Sequence, residues 1–99
     1  MKSNILEDGV YEATVSYKNS LSSYYTNYTL NVVVIDDTVL QINFENGGYI
    51  NYKSLNIQSY SGGALSFSKD VFGNISSIKT TVIVRELSGN TFIYKISLN

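Results

Sequence analysis

The side chains of this 99-residue chain with the most functional potential are its nine Tyr residues, because His, Cys, Trp and Pro are all absent. Without His or Cys, the chain cannot form Ser–His–Asp or Cys–His nucleophilic systems or the common zinc sites. Tyr combines a large apolar ring with a polar hydroxyl, and a mixture of Tyr, Ser, Asn and Gly is typical of recognition loops. The residue types therefore favour recognition over catalysis, and we expect no enzyme activity.

The aromatic residues divide into two groups by their positions in the pattern. Those at predicted strand ends or in loops are the candidate binding residues: Tyr24, Tyr25, Tyr49, Tyr52, Tyr60 and Phe72. Those on predicted inward faces are assigned to the core or its rim: Tyr11, Tyr17, Tyr28 and Tyr94. An AT-rich genome, which raises Tyr content everywhere, is the alternative explanation for the first group.

Phe72 lies with Val71 where a hairpin tip is predicted. An aromatic ring at such a tip either folds back over an open end of the sheet or projects as an anchor into a partner. We expect it to fold back.

Carboxylates leave two chemical routes open, a hydrolytic pair and a calcium site. The acids are Glu7, Asp8, Glu12, Asp36, Asp37, Glu45, Asp70 and Glu86. Every Asp falls at a predicted turn, where its side chain stabilises the bend. No Asp-x-Asp-x-Asp-Gly loop is present. We therefore expect no catalytic residue, no metal site and no cofactor, with a carboxylate-based hydrolase as a minor alternative.

In the segments that position these residues, apolar and polar residues alternate with a period of two, which indicates β-strands. Short Gly-, Asn- and Asp-containing turns between them require antiparallel pairing. The stretch 49–61 is ambiguous between a short strand and an irregular crossover. The predicted fold is a single all-β domain over 1–99, a small antiparallel β-sandwich or partly open barrel of six to seven strands. The predicted strands are 10–18, 24–35, 39–45, 64–69, 75–87 and 91–98.

The first half of the chain resembles a group of small, uncharacterised bacterial β-domains. The resemblance lies in the strand Asp8-Gly9-Val10-Tyr11-Glu12-Ala13-Thr14-Val15 and in the turn Asn46-Gly47-Gly48-Tyr49. Those domains open with an Asp-Gly-x-Tyr-x-Ala-x-Val strand and carry an Asn-Gly-Gly-aromatic turn after the third strand, often with Trp where this chain has Tyr49. The resemblance implies a β fold and a bacterial origin, and it implies no activity or site residue.

Charge and hydropathy restrict the expected partners. The net charge is −1, and the basic residues are scattered singly along the sequence, so nucleic acid and anionic membranes are not expected partners. The apolar run 32–35 and the segment 82–84 are β-prone, and if either strand is an edge, homodimerisation through edge pairing is expected. The N-terminus, Met1-Lys2-Ser3-Asn4-Ile5-Leu6-Glu7-Asp8, lacks the apolar run of a signal peptide. We expect a cytoplasmic protein.

The leading hypothesis is a non-catalytic module that binds a protein partner, in the manner of an inhibitor or immunity-type protein. The alternative is a small-ligand or glycan-binding domain that uses the tyrosine-rich surface. This alternative requires a concave patch that holds at least two rings from Tyr24, Tyr25, Tyr49, Tyr52 and Tyr60.

Overall fold

A computed structural model describes residues 4–99, and that part of the chain is all-β. The first three residues, with which the segment tested for a signal peptide begins, lie outside the described range. No helix long and apolar enough to span a membrane occurs between residues 4 and 99. The strands are β1 Gly9–Asn19, β2 Thr26–Ile35, β3 Thr38–Asn43, β4 Tyr49–Asn51, β5 Ile57–Gly62, β6 Ser66–Lys69, β7 Ile75–Glu86 and β8 Thr91–Leu98.

All strands join one antiparallel sheet in the order β4-β3-β2-β1-β8-β7-β5, and β6 pairs with the first part of β7. The predicted fold class is confirmed, with eight described strands instead of six or seven. The difference comes from the ambiguous stretch 49–61, which contributes β4 and β5. These strands are short, and β5 has a register shift between Ile57 and Ser59 that interrupts its alternation.

The sheet curls until β3 meets the junction of β5 and β6, which forms a nearly closed barrel. The Val39 amide donates to the Gly63 carbonyl at 2.8 Å, and the Leu65 amide donates to the Asp37 carbonyl at 2.8 Å. The chain turns this corner at Gly62 and Gly63, which have φ values of 83° and 96°. A Cβ at Gly62 would lie 2.2 Å from the Thr81 carbonyl oxygen, so the corner requires glycine.

Seven buried aliphatic side chains of β1, β2 and β7 fill the barrel, together with residues of β3 and β8. Alternation predicts Leu40 as a core residue of β3, but a register shift opposite Val33 and Val34 places Val39 in the core instead. Such a bulge changes which side chains point inward. The fully or nearly fully buried core residues are Ala13, Val15, Leu30, Val32, Val34, Val39, Ile42, Val82, Val84, Tyr94 and Ile96.

Both β-prone runs considered for dimerisation lie in central strands. Residues 32–34 of β2 pair with both β1 and β3, Ile35 pairs with β3, and residues 82–84 of β7 pair with β5 and β8. Their backbone groups are therefore already used, and the condition set for edge pairing through these runs is not met. Homodimerisation through another edge stays a prediction.

The strand directions define two ends of the barrel. The loops 20–25, 44–48 and 87–90 join strands on one side of the barrel, which we call the loop end. The loop 52–56 leaves the far end of the short strand β4 and returns the chain to this side, where β5 begins. The turns 36–37 and 70–74 lie at the opposite end. Asp36 and Asp37 have φ values of 54° and 55°, as a two-residue hairpin turn requires. Asp70 Oδ1 accepts from the amides of Phe72 and Asn74, which confirms that this Asp stabilises its turn.

Candidate functional site

Backbone hydrogen bonds hold three loops of the loop end together. The Ser20 amide donates to the Thr91 carbonyl at 2.7 Å, which joins the loop 20–25 to the β7–β8 hairpin. The Leu87 amide donates to the Asn56 carbonyl at 3.0 Å, which joins the same hairpin to the loop 52–56. The three loops therefore lie next to one another at this end of the barrel.

Each of these three loops exposes a leucine to solvent. The exposed fractions are 92% for Leu21, 91% for Leu55 and 68% for Leu87. Tyr24, on the same loop as Leu21, is 82% exposed. These leucines were not among the residues predicted from the sequence, although a single Leu among Ser, Asn and Gly in a predicted turn is a usable signal. We call these residues, together with Tyr49 and Tyr52, the loop-end surface.

The structure separates the predicted binding residues. Tyr49, exposed by 59%, begins β4 at the loop end, and Tyr52, exposed by 56%, begins the loop 52–56 that leads back to that end. Tyr25 lies over the outer face of the sheet, with Lys95 Nζ 4.5 Å and Lys18 Nζ 5.3 Å from its ring centroid. Three of the predicted binding residues thus lie on segments that meet the loop end: Tyr24, Tyr49 and Tyr52.

Tyr60 has a structural role that the sequence analysis did not assign to it. Its ring is half-buried, and its hydroxyl donates to the Val39 carbonyl at 2.8 Å. Burial, and secondarily the charge of nearby Tyr94 if ionised, raises the pKa of Tyr60. The register shift in β5 turns this side chain inward, so Tyr60 closes the barrel and does not belong to the loop-end surface.

Phe72 projects from the molecule, and the expectation that it folds back is wrong. It is 84% exposed and its neighbour Val71 is 93% exposed. Residues 75–78 of β7 pair with β6 and extend beyond the segment that pairs with β8. The β6–β7 hairpin therefore protrudes from the barrel and carries Phe72 away from its open end.

A cluster of aromatic rings fills the barrel beneath the loop-end surface. Tyr17 stacks between Tyr28 and Tyr94, with centroid distances of 5.6 Å to each. Phe44 lies 6.5 Å from Tyr94, and Phe92 lies 6.4 Å from Tyr17. Tyr17, Tyr28 and Tyr94 were predicted at the core or its rim, and the structure confirms that placement. Tyr94 is buried, whereas Tyr28 is partly exposed at the rim.

Two cavities flank this cluster and form what we call the barrel mouth. One has a volume of about 310 Å³ and is lined by Tyr17, Phe44, Tyr49, Phe92, Tyr94 and Glu86, among others. The second, of about 280 Å³, shares Tyr17 and Phe44 and includes Glu45. The mouth therefore combines aromatic faces with carboxylates.

Tyr94 remains protonated at neutral pH. Burial, followed by the neighbouring Tyr17 and the Glu86 carboxylate, raises its pKa to about 12. The hydroxyl therefore adds a dipole to the mouth and no charge.

A larger concave region lies on the outer face of β1, β8 and β7. This outer groove has a volume of about 560 Å³ and is bounded by Gly62 and Gly63. Hydroxyl side chains and two lysines cover much of it: Thr14, Ser16, Thr81, Ser97, Lys79 and Lys95.

Nothing among the protein-family models, the curated proteins or the solved structures matched the chain. The resemblance of the first half to bacterial β-domains therefore stays a prediction. Within residues 4–99, no group of three or more His, Cys, Asp or Glu side chains is placed to hold a metal ion.

Proposed function

We propose that this protein is a non-catalytic binding module that recognises a protein partner through its loop-end surface. The observation that carries the proposal is the exposure of Leu21, Leu55 and Leu87 on three loops that hydrogen bonds join. Single exposed apolar residues are ordinary, but a contiguous group of them marks an interaction surface.

The composition of this surface supports a protein as the partner. Aromatic residues are enriched in the buried centres of protein interfaces, and Tyr24, Tyr49 and Tyr52 supply them here. Backbone hydrogen bonds join these loops to one another, which limits the conformational freedom that they lose on binding. An inhibitor or immunity-type protein that masks its partner in the cytoplasm is one form of this function, and cell fractionation would test the location.

The glycan-binding alternative receives less support. It needs two of the five candidate tyrosines in one concave patch, and the larger mouth cavity holds the ring of Tyr49. Tyr25 covers the outer face next to Lys95, and Tyr60 closes the barrel. The rings are thus dispersed over three regions, which does not favour stacking of a sugar.

Affinity capture with matched variants tests the proposal. The tagged protein is exposed to a lysate of the organism that makes it, alongside the variant Leu21→Ser/Leu55→Ser/Leu87→Ser and the control Val71→Ser/Phe72→Ser. We expect a stoichiometric partner with the wild type and the control, and its loss with the triple variant. Equal capture by all three proteins, or no stoichiometric partner at all, would contradict the proposal.

A further inference from the structure

The larger cavity of the barrel mouth contains an acidic side chain at an inward-facing position. Val82 and Val84 of β7 point into the core, and the same alternation continues to Glu86. Its neighbours around the cavity include the rings of Tyr49, Phe92 and Tyr94. Glu86 is half-buried, so its charge is partly desolvated and a ligand that compensates it would be favoured.

The protein itself offers this carboxylate a hydroxyl group. Ser88 Oγ donates to Glu86 Oε1 at 3.2 Å. Across the described residues, the side-chain hydrogen-bond partner of Glu86 is Ser88 rather than a Lys or an Arg. Lys53, a cation at the same end, lies over the ring of Tyr52 with its Nζ 5.5 Å from the centroid.

The surrounding rings favour a positive charge on the ligand. The face of an aromatic ring attracts a cation, and Tyr and Phe faces contribute about 0.5–2 kcal/mol depending on desolvation. The carboxylate of Glu86 adds a charged hydrogen-bond acceptor, and Glu45 borders the adjoining cavity. An anionic group would be repelled here, and an apolar group would desolvate Glu86 with only the Ser88 hydroxyl to compensate its charge.

We propose that the barrel mouth receives a cationic side chain, Arg or Lys, that projects from the protein partner. The proposal rests on the proposed function, because it assigns the centre of the interface whose rim is the loop-end surface. In this arrangement Glu86 accepts hydrogen bonds from the cation, and the rings of Tyr49 and Phe92 cover its alkyl and charged parts. Anchors of this kind, at the centre of an interface with apolar contacts around them, account for most of the affinity in many complexes.

The test uses a probe that needs no knowledge of the partner. N-acetyl-arginine amide is titrated into the isotopically labelled protein, and the NMR signals of Phe92, Tyr94 and Ser88 are followed. The matched probe is N-acetyl-citrulline amide, which has almost the same shape and no charge. We expect saturable shifts with the arginine probe at a Kd on the order of 1–10 mM, and at least about tenfold weaker binding of citrulline.

Variants locate the binding at the carboxylate. Glu86→Gln keeps the size of the side chain and removes its charge, so the arginine probe should bind about tenfold more weakly. Glu45→Gln should have a smaller effect, of about twofold to threefold, because Glu45 borders only the adjoining cavity. The control is Glu7→Gln, at the opposite end of the barrel, which should leave the affinity unchanged.

The outcomes separate the two proposals. Absence of saturable shifts in the wild type, equal affinity for both probes, or unchanged affinity in Glu86→Gln would each overturn the cation site. None of those results bears on capture of the partner by the loop-end leucines. If the leucine variant loses partner capture but the wild-type barrel mouth does not bind the arginine probe, the proposed function stands and the cation site is rejected.

Discussion

The barrel mouth and the outer groove are both concave, yet their linings differ in origin and in chemistry. The groove is the larger, at about 560 Å³ against about 310 Å³ for the main mouth cavity. Backbone and short hydroxyl side chains form most of the groove, with Lys79 and Lys95 at its surface. Rings and the Glu86 carboxylate line the mouth. Gly62 and Gly63 of the barrel corner border the groove, whereas rings that pack against the core line the mouth. The larger of the two concave regions is therefore not the one with the aromatic lining.

The largest effect on stability should come from a substitution at the Gly62–Gly63 corner, which borders the outer groove. In Gly62→Ala the new Cβ would lie 2.2 Å from the Thr81 carbonyl oxygen, at a φ of 83°. The strain and the backbone shift should lower the free energy of unfolding by about 3 kcal/mol or more. The control is Gly73→Ala, with the same φ and open space around it, for which about 1 kcal/mol is expected. Urea unfolding measures both, and equal losses would show that the corner is not tightly packed.

The buried phenol of the mouth should make stability depend on alkaline pH. The pKa of Tyr94 is raised to about 12 from its ordinary value of 10.0, so the folded state favours the neutral form. Its contribution is complete below about pH 10 and is lost as the pH rises toward 12. We expect a loss of roughly 1–2 kcal/mol in this window.

Comparison of Tyr94→Phe with the wild type isolates this contribution. Urea unfolding at pH 9 and pH 11.5 should show a smaller pH-dependent loss in the variant. The same loss in both proteins would mean that Tyr94 ionises as an exposed phenol does.

Loss of the hydroxyl should reduce stability more at a tyrosine that closes the barrel than at an exposed tyrosine. Tyr60→Phe removes the hydroxyl that donates to the Val39 carbonyl, and should cost about 1 kcal/mol. Tyr52→Phe is the matched change at an exposed position, and should alter stability by less than about 0.5 kcal/mol. Thermal unfolding of the two variants distinguishes them, and a larger effect at Tyr52 would contradict the assignment of Tyr60 to the closure.

The smallest effect on stability should come from removing the contacts of Tyr25 on the outer face of the sheet. Tyr25→Leu removes a ring that lies near both Lys18 and Lys95, and an exposed cation–π contact contributes about 0.5–1 kcal/mol. Lys18→Gln/Lys95→Gln should cause a similar loss, and combining all three changes should add little. Additive losses would indicate that the ring and the lysines act independently.

The sequence predicts the fold and the position of most strands, because alternation and short turns are local signals. β8 matches its predicted range of 91–98, and the Asp turns match as well. Alternation could not predict that Tyr60 points inward, or that Val39 lies in the core in place of Leu40. Each depends on a register shift, which is set by pairing with a strand distant in sequence.

The candidate site was only partly predictable for a related reason. A position at a strand end or in a loop is a local property, and Tyr24, Tyr49 and Tyr52, selected on that ground, are exposed. Their grouping with Leu21, Leu55 and Leu87 depends on which loops the topology gathers. The inward position of Glu86 follows from alternation, but its aromatic surroundings come from three other strands and the loop 44–48.

Site-specific photo-crosslinking in the cell that makes the protein tests the central claim most directly. A photoreactive amino acid is placed in turn at Leu55 on the loop-end surface, at Thr81 in the outer groove and at Phe72 on the protruding hairpin. We predict a covalent adduct with one partner protein from position 55 and none from positions 81 and 72. Adducts from position 81 or 72, with none from position 55, would contradict the assignment of the loop end as the binding surface.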